Sequence, residues 1–214
     1  MVQNMTTLLT QSLVIIDIET TGANPIRNDV LAVGLVPLND ATRSFVVYVR
    51  PPAPQWNPFA QANFQKFAET WESQAVSPVA ACAAIEGYLA QEFHGEVVTP
   101  IGHNIGFDVA FLRKLAFLGG RDELEAVSRR ALDTHTMLYL LFLQGRIPSS
   151  ALSSDGAFEH FGIAVASHAR HTALGDALAT RELVIKLLDM LGAPFLPLAP
   201  SSRVEVRAHS LTRD

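Results

Sequence analysis

The stretch VIIDIETTG, residues 14–22, sets two carboxylates, Asp17 and Glu19, one residue apart at the end of an apolar, β-branched run. A strand turns successive side chains to opposite faces, so Val14, Ile16 and Ile18 share one face while Ile15, Asp17 and Glu19 share the other. Apolar residues on both faces imply a central strand covered from both sides, where an unpaired carboxylate carries a large desolvation cost. Something positive must therefore lie between the two acids. The options are an Arg or Lys partner, for which Arg27 is the main local candidate, a shared proton, or a hard divalent cation that takes oxygen ligands.

Two further acids stand out by position. Asp108 in GHNIGFDVAFL follows Asn104 by four residues, and Asp176 in RHTALGDALAT follows Thr172 by four. If Asn104 and Thr172 are N-caps, each acid lies in a first helical turn, where the helix dipole favours the ionised carboxylate that a metal ligand requires. Each taken singly is also an ordinary first-turn Asp. His171 stands five residues before Asp176, more than about 100° away around a continuous helix, so it belongs to the preceding loop and faces another way. That suits a base beside a cation better than a ligand of it; the plain alternative is a capping or surface histidine.

These residues need elements to hold them. The pattern predicts a strand at 13–19, a loop through TTGANPIRND, and an antiparallel meander of strands 29–37 and 43–49 joined by a turn at 38–41. The prolines of 50–58 impose a loop, and 59–75 reads as short helical pieces. A helix from Ser77 and Pro78 to about residue 93, a buried strand at 96–101 and a helix over 104–118 ended by Gly119 and Gly120 come next. A short strand at 131–133 leads into a helix at 134–143, with Asp133 as its cap rather than a metal ligand. Helices at 154–161 and 172–191 complete the pattern, the last stopped by Gly192 and Pro194. Residues 1–12 read as a lead-in, 13–191 as one domain, and 192–214 as a linker-like tail or docking segment. The sum is an α/β chain with a mixed sheet and helices on its faces.

Composition narrows the function classes. The 214 residues suit one α/β domain with a sizeable core. With 16 Lys and Arg against 21 Asp and Glu, net charge −5, and no basic block, the chain lacks the footprint of a protein that grips long duplexes, though a short nucleic-acid end held through metal ions stays open. A single cysteine, Cys82, excludes an internal disulfide and a cysteine-rich zinc site and fits a reducing cytoplasm. No apolar run approaches the roughly 18 residues of a membrane span, and the opening MVQNMTTLLTQS lacks the features of a signal peptide. The expectation is a soluble, cytoplasmic protein without membrane contact.

Taken together, DIETTG with Asp17 and Glu19, HNIGFDVAFL with Asp108, LDT with Asp133, and HTALGDALAT with His171 and Asp176 resemble, in order and spacing, the three exonuclease motifs of the DnaQ-like superfamily in its DEDDh branch, including the exonuclease domain of DNA polymerase III epsilon type. The likeness covers residues 13–191. It implies a ribonuclease H-like fold with a five-stranded mixed sheet, and two Mg²⁺ or Mn²⁺ ions between the carboxylates. By that resemblance Asp17 bridges both ions, Glu19 and Asp176 hold the one that activates water, Asp108 helps to hold the other, and His171 is the general base. Ile18, Thr20 and Thr21 are implied to hold the 3′-terminal nucleotide. Asn104 is explained first as a cap, with a substrate contact open; Phe107 either stacks on a base or packs in the core; Arg170 is either a phosphate contact or a solvated charge; His103 reads as structural.

The chain departs from many bacterial proofreading relatives after the third strand. An HGIT-like motif is replaced there by PPAPQWNPFAQANFQKFAETWESQAVSP, whose Trp56, Phe59, Phe64, Phe67 and Trp71 either build a different wall for the substrate or form an aromatic helical pair over the core. A polymerase-binding tail is not recognisable in 192–214. The leading expectation is a metal-dependent 3′–5′ exonuclease on single-stranded or frayed ends, DNA favoured. The alternatives are a short-RNA exonuclease of oligoribonuclease or RNase T type, and a proofreading or adaptor module docked on a polymerase or repair partner through the tail.

Overall fold

The computed structural model describes residues 12–192; the expectations for the lead-in and the tail lie outside these residues. Strand β1 (Leu13–Thr20) pairs antiparallel with β2 (Val30–Pro37), and β2 with β3 (Phe45–Tyr48). On its other edge β1 runs parallel to β4 (Thr99–Gly102), which runs parallel to β5 (Leu132–Asp133), giving the order β3-β2-β1-β4-β5. The acid-bearing strand is thus the middle of the sheet, as its two apolar faces require.

Seven α-helices complete the described residues: α1 (Pro58–Phe64), α2 (Ala68–Gln74), α3 (Pro78–Glu92), α4 (Gly106–Leu118), α5 (Thr134–Leu143), α6 (Ser154–His160) and α7 (Ala173–Met190). The alternation along β1 sorts them. Val14, Ile16 and Ile18 enter one core with Ile85 and Leu89 of α3 and Phe111 and Leu115 of α4. Ile15 enters another with Ile101 of β4 and Ala177 and Val184 of α7. Asp17, two residues beyond Ile15, therefore lies on the face that α7 covers. A third cluster, with Leu138, Leu141, Phe158, Leu183 and Leu187, fastens α5 and α6 to α7.

Three local expectations are corrected. The turn after β2 closes as a 3₁₀ turn, Ala41–Arg43, capped by Asp40, whose carboxylate accepts from Thr42 N–H at 2.9 Å; this delays the third strand to Phe45. The fourth strand begins at Thr99 rather than 96, because only Val98, bridging to Val127, precedes it in the sheet. Asn104 is not the N-cap of α4. Its φ is 59°, a left-handed conformation that Asn tolerates, and the cap position falls to Ile105 with no side-chain bond. The Asn104 N–H instead donates to Asp133 Oδ1 at 2.8 Å, tying the start of α4 to the end of β5.

The other caps form as the residue types dictate. Ser77 accepts from Ala80 N–H at 3.3 Å, Asp133 from His135 N–H at 3.0 Å and Thr172 from Gly175 N–H at 3.2 Å. The aromatic segment resolves toward the helical pair: Phe64 packs against Trp56, Phe67 and Trp71 with ring centroids 5.0, 5.2 and 5.4 Å away, and Trp71 donates its indole N–H to Val49 O at 2.8 Å. Phe59 alone of the five is exposed.

One glycine sets how closely α7 meets the sheet. Gly34 is the cross-strand partner of Asp17, and a Cβ placed on it would lie 2.4 Å from the carbonyl oxygen of Ala173, the first residue of α7. No side chain fits there, so the helix start rests directly on backbone beside Asp17. Gly34→Val should destabilise the protein by about 1–3 kcal/mol through overpacking, despite the better strand propensity of valine. Gly87→Ala, in α3 with nothing within 4 Å of the new Cβ, should instead stabilise by about 0.4–1 kcal/mol. Urea unfolding of both variants checks the pair; equal effects would remove the special role of Gly34.

Candidate active site at the end of the central strand

The topology gathers the four acids named from sequence. Asp17 and Glu19 sit near the end of β1, and Asp108 and Asp176 lie in the first turns of α4 and α7. One carboxylate oxygen each of Asp17, Glu19 and Asp176 lies within 4.8 Å of the other two, and this is the group among the described residues that could hold an ion. Asp108 stands beside this trio. It is buried, the backbone N–H groups of Asp108 and Ile18 favour its charged form, and its charge acts on Asp17.

Such crowding shows in the protonation equilibria. Burial first, then the charges of Asp108, Glu19 and Asp176, push the Asp17 carboxyl well above the usual carboxylate range. Burial and Asp176 raise Glu19 to about 7; burial raises Asp108 to about 8 against the pull of its two backbone donors. Burial also raises Asp176. Without added positive charge these groups resist full ionisation at neutral pH. Asp176 Oδ1 is buried with no hydrogen-bond partner, an acceptor left open in an all-oxygen cluster. These donors fit a hard divalent cation, which would relieve both the repulsion and the orphaned oxygen.

Arg170 was underweighted by the sequence reading, and it supplies the basic partner there sought in Arg27, which is exposed. The Arg170 guanidinium forms an ion pair with Asp176 Oδ2 and a second with Asp155 of α6, at 2.6 Å, and its charge pulls the Asp17, Glu19 and Asp176 carboxyls down. It is paired and mostly buried rather than a solvated charge. The sequence signal was its position six residues before Asp176, which a loop folding back over the helix start brings within reach.

His171 sits in that loop, before the Thr172 cap, with φ 61°. Its backbone N–H donates to Asp176 Oδ2 at 3.2 Å, the residue is half-buried, and its ring nitrogens are not among the ligand atoms of the trio. Burial, helped by Arg170 and Lys66 and opposed by Asp155, lowers its pKa below the ordinary histidine value. Lys66, from the link between α1 and α2, was missed altogether. Its Nζ donates to the Arg170 carbonyl at 3.2 Å, and its charge reaches Glu19 and His171. No motif marked it, since it comes from the segment that departs from the proofreading pattern.

The residues expected to hold a nucleotide are placed as follows. Ile18 is buried in the core, Thr20 donates its hydroxyl to Gly22 O at 2.8 Å, and Thr21 is fully buried. Thr21 Oγ1 accepts from Asp29 N–H at 2.9 Å and its carbonyl from Asn57 N–H at 2.7 Å. Lys114 of α4 ties down the same loop through Asn28 O at 2.6 Å and Asp29 at 2.9 Å. Asn104 is exposed beside Asp133, whereas Phe107 is partly buried against Phe111, ring centroids 4.8 Å apart. Asp133 caps α5, and His103 bonds through Nδ1 to Thr134 Oγ1 at 3.1 Å.

Comparison with known proteins agrees with this geometry. The pattern of the RNase T exonuclease family matches residues 14–184. A DNA polymerase III subunit epsilon-like protein of Rhodobacter capsulatus is 31% identical over 209 residues, 94% of this chain but 27% of that protein. Among solved structures, the zinc-bound Escherichia coli exonuclease I–ssDNA complex superposes with a TM-score of 0.68 at 18% identity, over 85% of this chain and 41% of that one. Exonuclease I of Methylocaldum szegediense gives 0.63 at 19% identity, over 84% and 40%. The chain thus spans between about a quarter and two fifths of the length of these relatives, and at such low identity the solved structures speak for the ribonuclease H-like fold alone. With the family pattern covering β1 through most of α7 and the four acids converging at the end of β1, the chain belongs to the RNase T exonuclease family, among the DnaQ-like 3′–5′ exonucleases.

Proposed function

We propose that this exonuclease domain removes nucleoside 5′-monophosphates from the 3′ ends of single-stranded or frayed nucleic acid, with DNA preferred, using two Mg²⁺ or Mn²⁺ ions. The observation that carries the proposal is the trio Asp17, Glu19 and Asp176, with Asp108 beside it and Asp176 Oδ1 left without a partner. Asp17, Glu19, Asp108 and Asp176 would hold the ions. When bound, these would supply a nucleophile at neutral pH and neutralise charge at the scissile phosphate and the leaving oxygen.

The remaining work falls to the protein. His171, neutral at physiological pH, accepts the proton of the attacking water. Thr20 and Asn104, with the backbone around Ile18, orient the terminal nucleotide, and Phe107 offers an aromatic edge; Thr21 contributes by fixing the loop behind them through Asp29 and Asn57. A preference for DNA is supported by the epsilon-like relative and the ssDNA complex, and a short-RNA substrate is the alternative. A net charge of −5 favours a single end over a long duplex. No helix among the described residues is long and apolar enough to cross a membrane. We place the activity in the cytoplasm, in keeping with a buried, unpaired Cys82, and assign any polymerase or repair partner to the tail.

End-labelled DNA and RNA oligonucleotides should be shortened from the 3′ end with Mg²⁺ or Mn²⁺ present, and a 3′-phosphate should block the reaction. Chelation should abolish it. Cleavage of a closed single-stranded circle would show endonuclease action, and full activity in EDTA would remove the metal centre.

His171 gives a separate test. Because its pKa lies below the ordinary value of about 6.5, the proton-accepting form persists into mildly acidic solution, and the acid limb of kcat/KM should have its midpoint below pH 6.5. His171→Ala should lower kcat by about 100- to 10,000-fold and erase that limb. Near-parent turnover would assign the histidine to structure.

A further inference from the structure

Arg170 is the basic residue, among those described, that forms an ion pair with a carboxylate of the site, and that pair is not required by the roles assigned above. Its Nε and Nη2 donate to Asp155 Oδ1 at 2.9 and 2.6 Å, Nη2 also donates to Ser154 Oγ at 3.3 Å, and its guanidinium carbon lies 5.5 Å from the centroid of Phe158. One edge of the guanidinium is thus fastened to the start of α6. From there Nη1 reaches Asp176 Oδ2, which also accepts the His171 N–H at 3.2 Å.

The consequence falls on the other oxygen of Asp176. Two donors hold Oδ2, while Oδ1, on the same buried carboxylate, has none. A carboxylate held this way is fixed in rotation and presents one unsatisfied oxygen. We propose that Arg170 is a positioning residue for the metal centre: anchored by Asp155, it locks Asp176 so that Oδ1 is the ion-binding oxygen, and it carries the same lock to the His171 loop. This rests on the metal-dependent reading above.

A competing role has the opposite sign. If the guanidinium stood in for the cation, an ion would have to displace it, and removing it would strengthen ion binding. Asp155 argues against that, because it shares the arginine charge and fastens the guanidinium to the start of α6, while Asp176 Oδ1 is left without a donor. Outer partners that orient metal-binding carboxylates are worth about 10–100-fold in affinity when removed. A lysine keeps charge but cannot grip two carboxylates with one planar fork.

The experiment is calorimetric titration of the metal-free full chain with Mn²⁺, without nucleic acid, with circular dichroism to check the fold of each variant. Arg170→Ala should bind Mn²⁺ about 10–100-fold more weakly than the parent, Arg170→Lys should recover only part of the loss, and Asp155→Asn, at an exposed side chain that tolerates change, should weaken binding in the same direction. In an Asp176→Asn background, Arg170→Ala should have little further effect, because it acts through that carboxylate. Binding by Arg170→Ala as tight as the parent or tighter, or an equal loss in the Asp176→Asn background, would overturn the positioning role while leaving the metal centre in place. Absence of Mn²⁺ binding by the parent itself would overturn the metal reading and this inference together.

Discussion

Four carboxylates brought to one end of a buried strand repel each other and lose hydration, and the architecture is organised around that cost. Burial is the largest influence on Asp17, Glu19, Asp108 and Asp176, and each is driven toward its neutral form. The fold offsets the cost with whatever positive field it has. Asp108 and Asp176 occupy first helical turns, nearby backbone N–H groups favour the charged form of Asp108, and Asp176 takes the His171 N–H and the Arg170 guanidinium. The offset is incomplete at Asp176 Oδ1, which is left as the open acceptor that a bound cation would satisfy.

Close approach of α7 to the sheet follows from the same requirement. The bare backbone of Gly34 opposite Asp17 lets Ala173 rest on the sheet, and Asp176 follows within one turn. The loop before α7 is shaped just as tightly: a Cβ on Gly175 would lie 2.1 Å from the Ala169 carbonyl oxygen, and Thr172 bonds back to that carbonyl at 2.6 Å. On the far side, the aromatic block of α1 and α2 places Lys66 against the Arg170 carbonyl. The segment that carries α1 and α2 therefore supports the histidine loop from outside, a link that distance in sequence conceals.

Much of this was legible in the residues. The alternation of Val14 to Glu19 gave the two-sided central strand and the face of the acids, and spacing from Thr172 put Asp176 in a first helical turn. Asn104 misled because its side-chain type suits a cap equally well as a left-handed turn, and only the neighbouring Asp133 decides between them. Arg170 and Lys66 were hidden for another reason. Whether a surface-type residue is solvated or folded back depends on loop geometry, and no periodicity encodes that. Asp155, which anchors Arg170 across 15 positions, carries no local signal at all.

The most direct test of the central claim is thermal unfolding of the metal-free protein against pH, with and without Mn²⁺. Raised carboxyl pKa values mean that the native state binds more protons than the unfolded one, so stability is fully present below the unfolded values near 4 and is lost as pH rises through about 7 for Glu19 and about 8 for Asp108. The account predicts that Tm falls across this window without metal, that Mn²⁺ raises it by an amount that grows with pH, and that Asp17→Asn flattens both trends. A Tm that is level or rising through that window and indifferent to Mn²⁺ would contradict it.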